Sequence, residues 1–211
     1  MTQEIEQRTD DWFAARLGKA TASKIADIMA RTKSGPSASR ANYAAQLVTE
    51  RLTGTREEGF TNAAMQWGTD NEPRARAMYE LVTGGTVLEC GFFDHPTVEM
   101  SGASPDGLVG DDGLVEIKCP NSATHIATLR GDTIPDKYVK QMQWQMACTG
   151  RAWCDFASFD PRLPDEMQLF VQRLNRDDAL IAEMEAEVSA FLAEVSAAVD
   201  DLKSRYMKEA A

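Results

Sequence analysis

Positive charge is scarce in this 211-residue chain: 22 Lys and Arg stand against 33 Asp and Glu, for a net charge of −11. A protein that coats nucleic acid by charge alone has the opposite balance, so the total argues against that class. Histidine is also scarce. His95 and His125 sit in no zinc-like spacing, and Cys90, Cys119, Cys148 and Cys154 form no Cys-x-x-Cys pair, which argues against structural zinc. The close spacing usual for an iron–sulfur cluster is missing too. The cysteines read as reduced, mostly buried thiols. No apolar run approaches the ~20 residues that cross a bilayer, and the polar, acidic segment 1–11 is unlike a signal peptide. The expectation is a cytoplasmic protein with no membrane partner.

What is present fits a globular enzyme. The composition is 43% hydrophobic and 26% charged, ordinary for a folded domain. The length suits a single domain over 1–211, with room for a helical annex. The charge is unevenly distributed. Residues 1–56 carry +3 and the remainder −14, so a mildly basic N-terminal region, expected to be helical, precedes an acidic body.

Punctuation residues divide the chain. Thr9 caps a short helix that Gly18 ends, and a second helix runs from Thr21 or Ser23 to about Ala30. Residues 31–40 form a breaker-rich loop, followed by a helix from about Asn42 to Leu52. Thr69-x-x-Glu72 reads as a capping box that starts a helix to Val82, with Pro73 in its first turn. Val87–Phe93, Met100–Val109 and Leu114–Lys118 read as strands, the last two joined by a hairpin at Gly110-Asp111-Asp112-Gly113. Tyr138–Cys148 is helical. Two more strands, Ala152–Phe159 and Met167–Leu174, precede a long helix over 177–206 with apolar positions Leu180, Met184, Val188, Phe191, Leu192 and Val195 on one face. The fold class is mixed α/β, a central sheet flanked by helices.

The chemistry concentrates on the hairpin. Side chains alternate along a strand, so Leu114, Glu116 and Lys118 share one face, while Val115 and Ile117 share the other. Closing the hairpin with Val109 opposite Leu114 brings Asp106 beside Glu116. Two carboxylates and a lysine converge, and the Ile117 carbonyl lies between them. Oxygen donors of this kind suit Mg²⁺ or Mn²⁺, and Lys118 is placed to orient or deprotonate a water. For an isolated Glu-x-Lys an exposed ion pair is the better reading; the upstream Pro-Asp-Gly favours a metal site.

Ser-Pro-Asp106-Gly-Leu-Val followed by Val-Glu116-Ile-Lys118-Cys-Pro resembles the core of the PD-(D/E)XK nuclease superfamily. Within it, the chain resembles the phage lambda exonuclease family, the YqaJ-type viral recombinases. Trp12 to Gly18 with Thr21-Ala22-Ser23 belongs to that resemblance, as do Trp67-Gly68-Thr69 with Glu72 and Arg76, Tyr138 to Gln143, and the strand ending near Asn175-Arg176-Asp177. The resemblance implies a Mg²⁺-dependent exonuclease with two ions per site. It would digest one strand of double-stranded DNA from a 5′ end and leave a 3′ overhang. It further implies a toroidal homotrimer, a phage single-strand annealing protein as partner, and a phage or prophage origin in a bacterial cell.

The same resemblance assigns supporting residues. Glu72 becomes a third active-site acid. Arg16 and Ser23, with Thr21, become contacts to the 5′ phosphate; from the residues alone, a helix cap and a solvated arginine explain them as well. Ser104, Tyr138 and Gln141 become DNA contacts beside the scissile bond. Tyr138, Gln141 and Gln145 fall on one helical face, which a plain polar surface would also explain. Trp12, Trp144 and Trp153 read as core. Two rivals stay open: a structure-specific or RecB-like endonuclease of the same superfamily, and a non-catalytic DNA-binding or assembly module.

Overall fold

The computed structural model describes residues 6–33, 35–56, 63–131 and 133–207. Thr9 caps α1 (Asp10–Arg16) by accepting from Trp12 N, and Gly18 follows with φ +66°. The second predicted helix is shorter than expected. Ala20–Thr21 is instead a strand, β1, and Ala22–Lys24 a 3₁₀ turn, before α2 (Ile25–Met29). The predicted loop holds a small hairpin, β2 (Arg31–Thr32) and β3 (Gly35–Pro36). Ser37 then caps α3 (Ala38–Thr53) by accepting from Arg40 N, and Gly54 in the left-handed region ends it.

The Thr69 capping box is not there. α4 spans Ala63–Thr83, so Thr69 and Glu72 are interior residues. Pro73 also lies inside this helix, where its missing N–H leaves the Thr69 carbonyl without the usual i+4 donor. Tertiary contact outweighs that local penalty: Ala75 and Tyr79 of α4 are buried against the sheet with Val115, Ile117 and Ala157.

Two predicted strands are each broken in two. Val87–Phe93 resolves into β4 (Val87–Leu88) and β5 (Phe93–Asp94), and Met100–Val109 into β6 (Ser101–Ala103) and β7 (Gly107–Val109). Their halves serve different sheets. β1-β6-β5 is a three-stranded sheet; β7 and β4 join β8 (Gly113–Lys118), β9 (Trp153–Phe159) and β10 (Leu169–Asn175) in the five-stranded order β10-β9-β8-β7-β4. Ser104-Pro105-Asp106 is therefore a crossover between sheets. Gly107, just beyond it, must be glycine. A Cβ there would meet Val87 Cγ1 at 2.1 Å.

The five-stranded sheet is mixed: β8 runs parallel to β9 and antiparallel to β7. One face packs on α4. The other packs Leu114, Cys154 and Phe156 on Met142 and Met146 of α6 (Asp136–Thr149), which ends at Gly150 with φ +71°. A helix absent from the sequence reading, α5 (Ser122–Gly131), follows β8. Its His125 is buried, bonded to Ser158 Oγ at 2.7 Å and to the Met167 carbonyl at 2.9 Å. α7 (Asp178–Tyr206) buries Met184, Val188, Phe191, Leu192 and Val195 against α2 and α3, close to the predicted stripe. No helix among the described residues is long and apolar enough to cross a membrane.

Candidate active site

The hairpin register differs by one residue from the sequence reading. Val109 pairs with Gly113 rather than Leu114, and Gly107 pairs with Val115. Gly113 has entered the strand, leaving a three-residue turn with Gly110 at φ +55°. Continued one step, this register sets Asp106 opposite Glu116, as the chemistry requires. Asp106 Oδ2 accepts from Ile117 N at 2.7 Å, which fixes the carboxylate at the mouth of the hairpin. Glu116 is fully buried. Its Oε1 accepts from Lys118 Nζ and from Gln141 Nε2 at 2.6 Å, and its Oε2 accepts from Gln145 Nε2 at 2.5 Å.

Asp106, Ile117 and Lys118 line a cleft of about 670 Å³ that Arg8, Glu72, Asn121, Lys137 and Tyr138 also border. One lysine faces two carboxylates, the buried Glu116 and the half-buried Asp106. Burial raises the Asp106 carboxyl well above the usual carboxylate range, and the Glu116 charge adds to the rise. Burial alone would lower Lys118, but the charges of Glu116 and Asp106 outweigh it and raise the amine. Lys118 donates to Glu116 Oε1 and lines the cleft beside Asp106. Glu72 faces the same cleft with both oxygens claimed, Oε2 by Arg8 at 2.5 Å and Oε1 by Arg76 at 3.1 Å. Tyr138 stacks on Phe156 at 5.4 Å between ring centroids and lies 5.4 Å from Lys118 Nζ.

A second pocket, of about 340 Å³, is lined by Trp12, Arg16, Lys19, Thr21, Ser23 and Lys24, among others. Arg16 lies 4.2 Å from the Trp12 ring centroid and donates to Ser104 Oγ at 3.0 Å, while Trp12 Nε1 donates to the same oxygen at 2.9 Å. Burial draws the Arg16 guanidinium down to about 10, still protonated at neutral pH. Two donors fill the acceptor positions of Ser104 Oγ, so its own O–H is left to donate. Thr21 is buried, its N–H donating to Tyr43 Oη at 3.1 Å, while Ser23 is exposed. Met65 borders both pockets.

Residues 11–152 match the YqaJ-like viral recombinase domain. The chain belongs to the YqaJ-like viral recombinase family. It is a nuclease by that membership, and its fold is that of solved exonucleases. An alkaline exonuclease (LHK-Exo) from Laribacter hongkongensis is 60% identical, with a TM-score of 0.88, covering 94% of this chain and 98% of that one. The same exonuclease in complex with dAMP superposes at a TM-score of 0.89, with the same identity and coverage. A phage-related exonuclease from Haemophilus somnus 129PT, 16% identical, shares the fold at a TM-score of 0.68, covering 87% of this chain and 96% of that one. No curated protein matches the chain.

In this YqaJ-like chain the sequence-predicted residues fall into two groups. Asp106, Lys118, Glu72 and Tyr138 line the cleft, with Glu116 and Gln141 behind Lys118; Arg16, Thr21 and Ser23 line the second pocket, with Ser104 bonded to Arg16. Sequence reasoning missed Trp12, which is no core residue but a donor to Ser104. It placed Gln145 on the face of Gln141 but gave it no role, and Gln145 donates to Glu116 Oε2. It also missed Arg8 on Glu72, a pairing across 64 positions that no local pattern carries.

Proposed function

We propose that this chain is a divalent-metal-dependent exonuclease that digests one strand of double-stranded DNA from its 5′ end to mononucleotides. A 3′ overhang is then left for recombination by strand annealing. The observation that carries the reading is the crossover Ser104-Pro105-Asp106, which sets Asp106 of the hairpin cleft two residues from Ser104, the hydrogen-bond partner of Arg16 in a pocket that Lys19 and Lys24 also line.

The cleft fits Mg²⁺ or Mn²⁺. Its donors are oxygens: the Asp106 and Glu116 carboxylates and the Ile117 carbonyl. Hard divalent cations take such donors. Asp106, Glu116 and the Ile117 carbonyl would hold the ion or pair of ions. A bound cation would supply a water of lowered pKa and offset charge on the phosphate.

The chain's own side chains do the rest. The Lys118 ammonium orients the attacking water and faces the scissile phosphate. Arg16 and the free Ser104 O–H hold the terminal 5′ phosphate, with Ser23 and Thr21 at the pocket edge, and this sets polarity. Tyr138 borders the path of the strand, and Gln141 holds Glu116 beside it. Glu72 adds negative charge at the rim, tempered by Arg8 and Arg76. A ring-shaped homotrimer around the duplex would let a chain of charge −11 follow DNA without electrostatic grip. A phage annealing protein in the host cytoplasm would take up the overhang.

The test uses linear duplex DNA labelled at each end in turn, with Mg²⁺ or EDTA, comparing wild type with Lys118→Ala. Mononucleotides released from 5′-phosphorylated ends, lost in EDTA and reduced roughly 10²–10³-fold in the variant, are expected. Cleavage of closed circles would point instead to an endonuclease. Folded protein that cuts nothing with either metal would refute the enzyme reading.

A further inference from the structure

Gln145 is fully buried on the inner side of α6, one turn beyond Gln141. A buried amide costs about 1–3 kcal/mol unless its polar ends are bonded. Gln145 Nε2 donates to Glu116 Oε2 at 2.5 Å, and the Cys154 thiol approaches Gln145 Oε1 at 3.9 Å. A carboxylate only accepts, so the amide nitrogen must face Glu116 and the amide oxygen must face Cys154. The orientation of this amide is set by its two neighbours.

The two oxygens of Glu116 are thereby made different. Oε1 is reached by Lys118, which lines the cleft, and by the half-buried Gln141; Oε2 is reached from within the core by Gln145. The surroundings of Gln145 on this face of the sheet are apolar: Leu114, Met142, Met146 and Phe156. Among the described residues, the polar partners of this amide are the Glu116 carboxylate and the Cys154 thiol.

We propose that Gln145 is a positioning residue that anchors Glu116 Oε2 and so turns Oε1 toward Lys118 and the cleft, where a divalent cation would take the place of one of the two donors that Oε1 now accepts. This rests on the metal-dependent reading above. A carboxylate held at one oxygen is preorganised, whereas an unanchored one must lose rotational freedom when the ion binds. Groups that hold a metal's ligands in this way typically set affinity by about 10–100-fold. Gln145 itself would touch neither DNA nor the ion.

The test measures Mn²⁺ binding by the electron paramagnetic resonance of free Mn²⁺, on full-length protein without DNA. Wild type, Gln145→Met and Gln145→Asn are compared, and near-UV circular dichroism reports folding. Methionine keeps the volume and removes the donor. Asparagine keeps the amide but falls short of Glu116, and it decides the matter if the methionine variant does not fold. The expected result is a Kd for Mn²⁺ raised roughly 10–100-fold in the folded variants, whatever happens to Tm. A folded variant with the wild-type Kd overturns the proposal, because an amide that only filled space would move Tm and leave Kd alone. A wild type that binds no Mn²⁺ overturns the metal reading itself, and this inference with it.

Discussion

Glu116 and Asp155 are buried carboxylates on neighbouring strands of one sheet, and they are held in opposite ways. Asp155 faces α4. Arg173 grips it through two hydrogen bonds at 2.8 and 2.9 Å, and Tyr79 adds a third at 2.7 Å. Glu116 faces α6, where two neutral amides orient it and a lysine shared with Asp106 supplies the only cation among its described partners. An arginine neutralises a carboxylate; amide dipoles aim it and leave the charge in place. Arg16 is the mirror image, a guanidinium whose described hydrogen bond goes to a hydroxyl. Carboxylates gripped by an arginine belong to the scaffold, and a group whose counter-ion is shared or replaced by neutral partners marks where a charged ligand goes. By this standard Glu72, claimed by two arginines, stands nearer the scaffold.

The sharpest way to break this contrast is Asp106→Asn. Cleavage should fall to the rate of wild type in EDTA. Stability in urea without metal should rise by about 1 kcal/mol, since one of two carboxylates sharing a lysine is gone. Lost stability together with lost activity would erase the distinction. Asp155→Ala should do the reverse and cost about 2–3 kcal/mol, less than the 3–5 of a fully buried pair because half of Arg173 stays in water. Its turnover per folded molecule should be unchanged, read from active-site-normalised rates.

Acid unfolding extends the comparison to a second balanced pair. Burial alone would raise Asp160, but hydrogen bonds from Arg162 and Ser122, with the Arg162 charge, outweigh it and hold the carboxyl down at about 2. Its folded value lies below its ordinary 3.8, so the contribution is complete above that value and is lost as pH falls toward 2. Asp160→Asn should flatten the stability profile over that window. Least in size, Trp12→Phe removes one donor to Ser104. It should raise KM for 5′-phosphorylated ends roughly two- to tenfold and leave 5′-hydroxyl ends unaffected.

Local rules served well where structure is local. Thr9, Gly150 and the α7 stripe read correctly because capping and amphipathic periodicity act within a turn or two. Asp106, Glu116 and Lys118 were legible because a hairpin brings near neighbours together. The Thr69 capping box misled because α4 begins at Ala63, with Trp67 before Pro73 packed on the same cluster as Ala75 and Tyr79 beyond it. The broken strands were illegible because a switch between sheets carries no compositional signal. Trp12 and Gln145 were misread for one reason: an amphipathic or polar side chain inside a helix looks alike whether it meets water, core or a partner ninety residues away.

The crossover between the two sheets also fixes a length. Ser104 and Asp106 are two residues apart, so their Cα atoms are no more than about 7 Å from each other, with Pro105 limiting how that span can bend. If Ser104 seats a terminal phosphate and Asp106 serves the bond to be cut, the backbone acts as a gauge set to the stride of a single nucleotide. Product size would then be a property of covalent geometry, indifferent to base sequence and to how fast the enzyme moves.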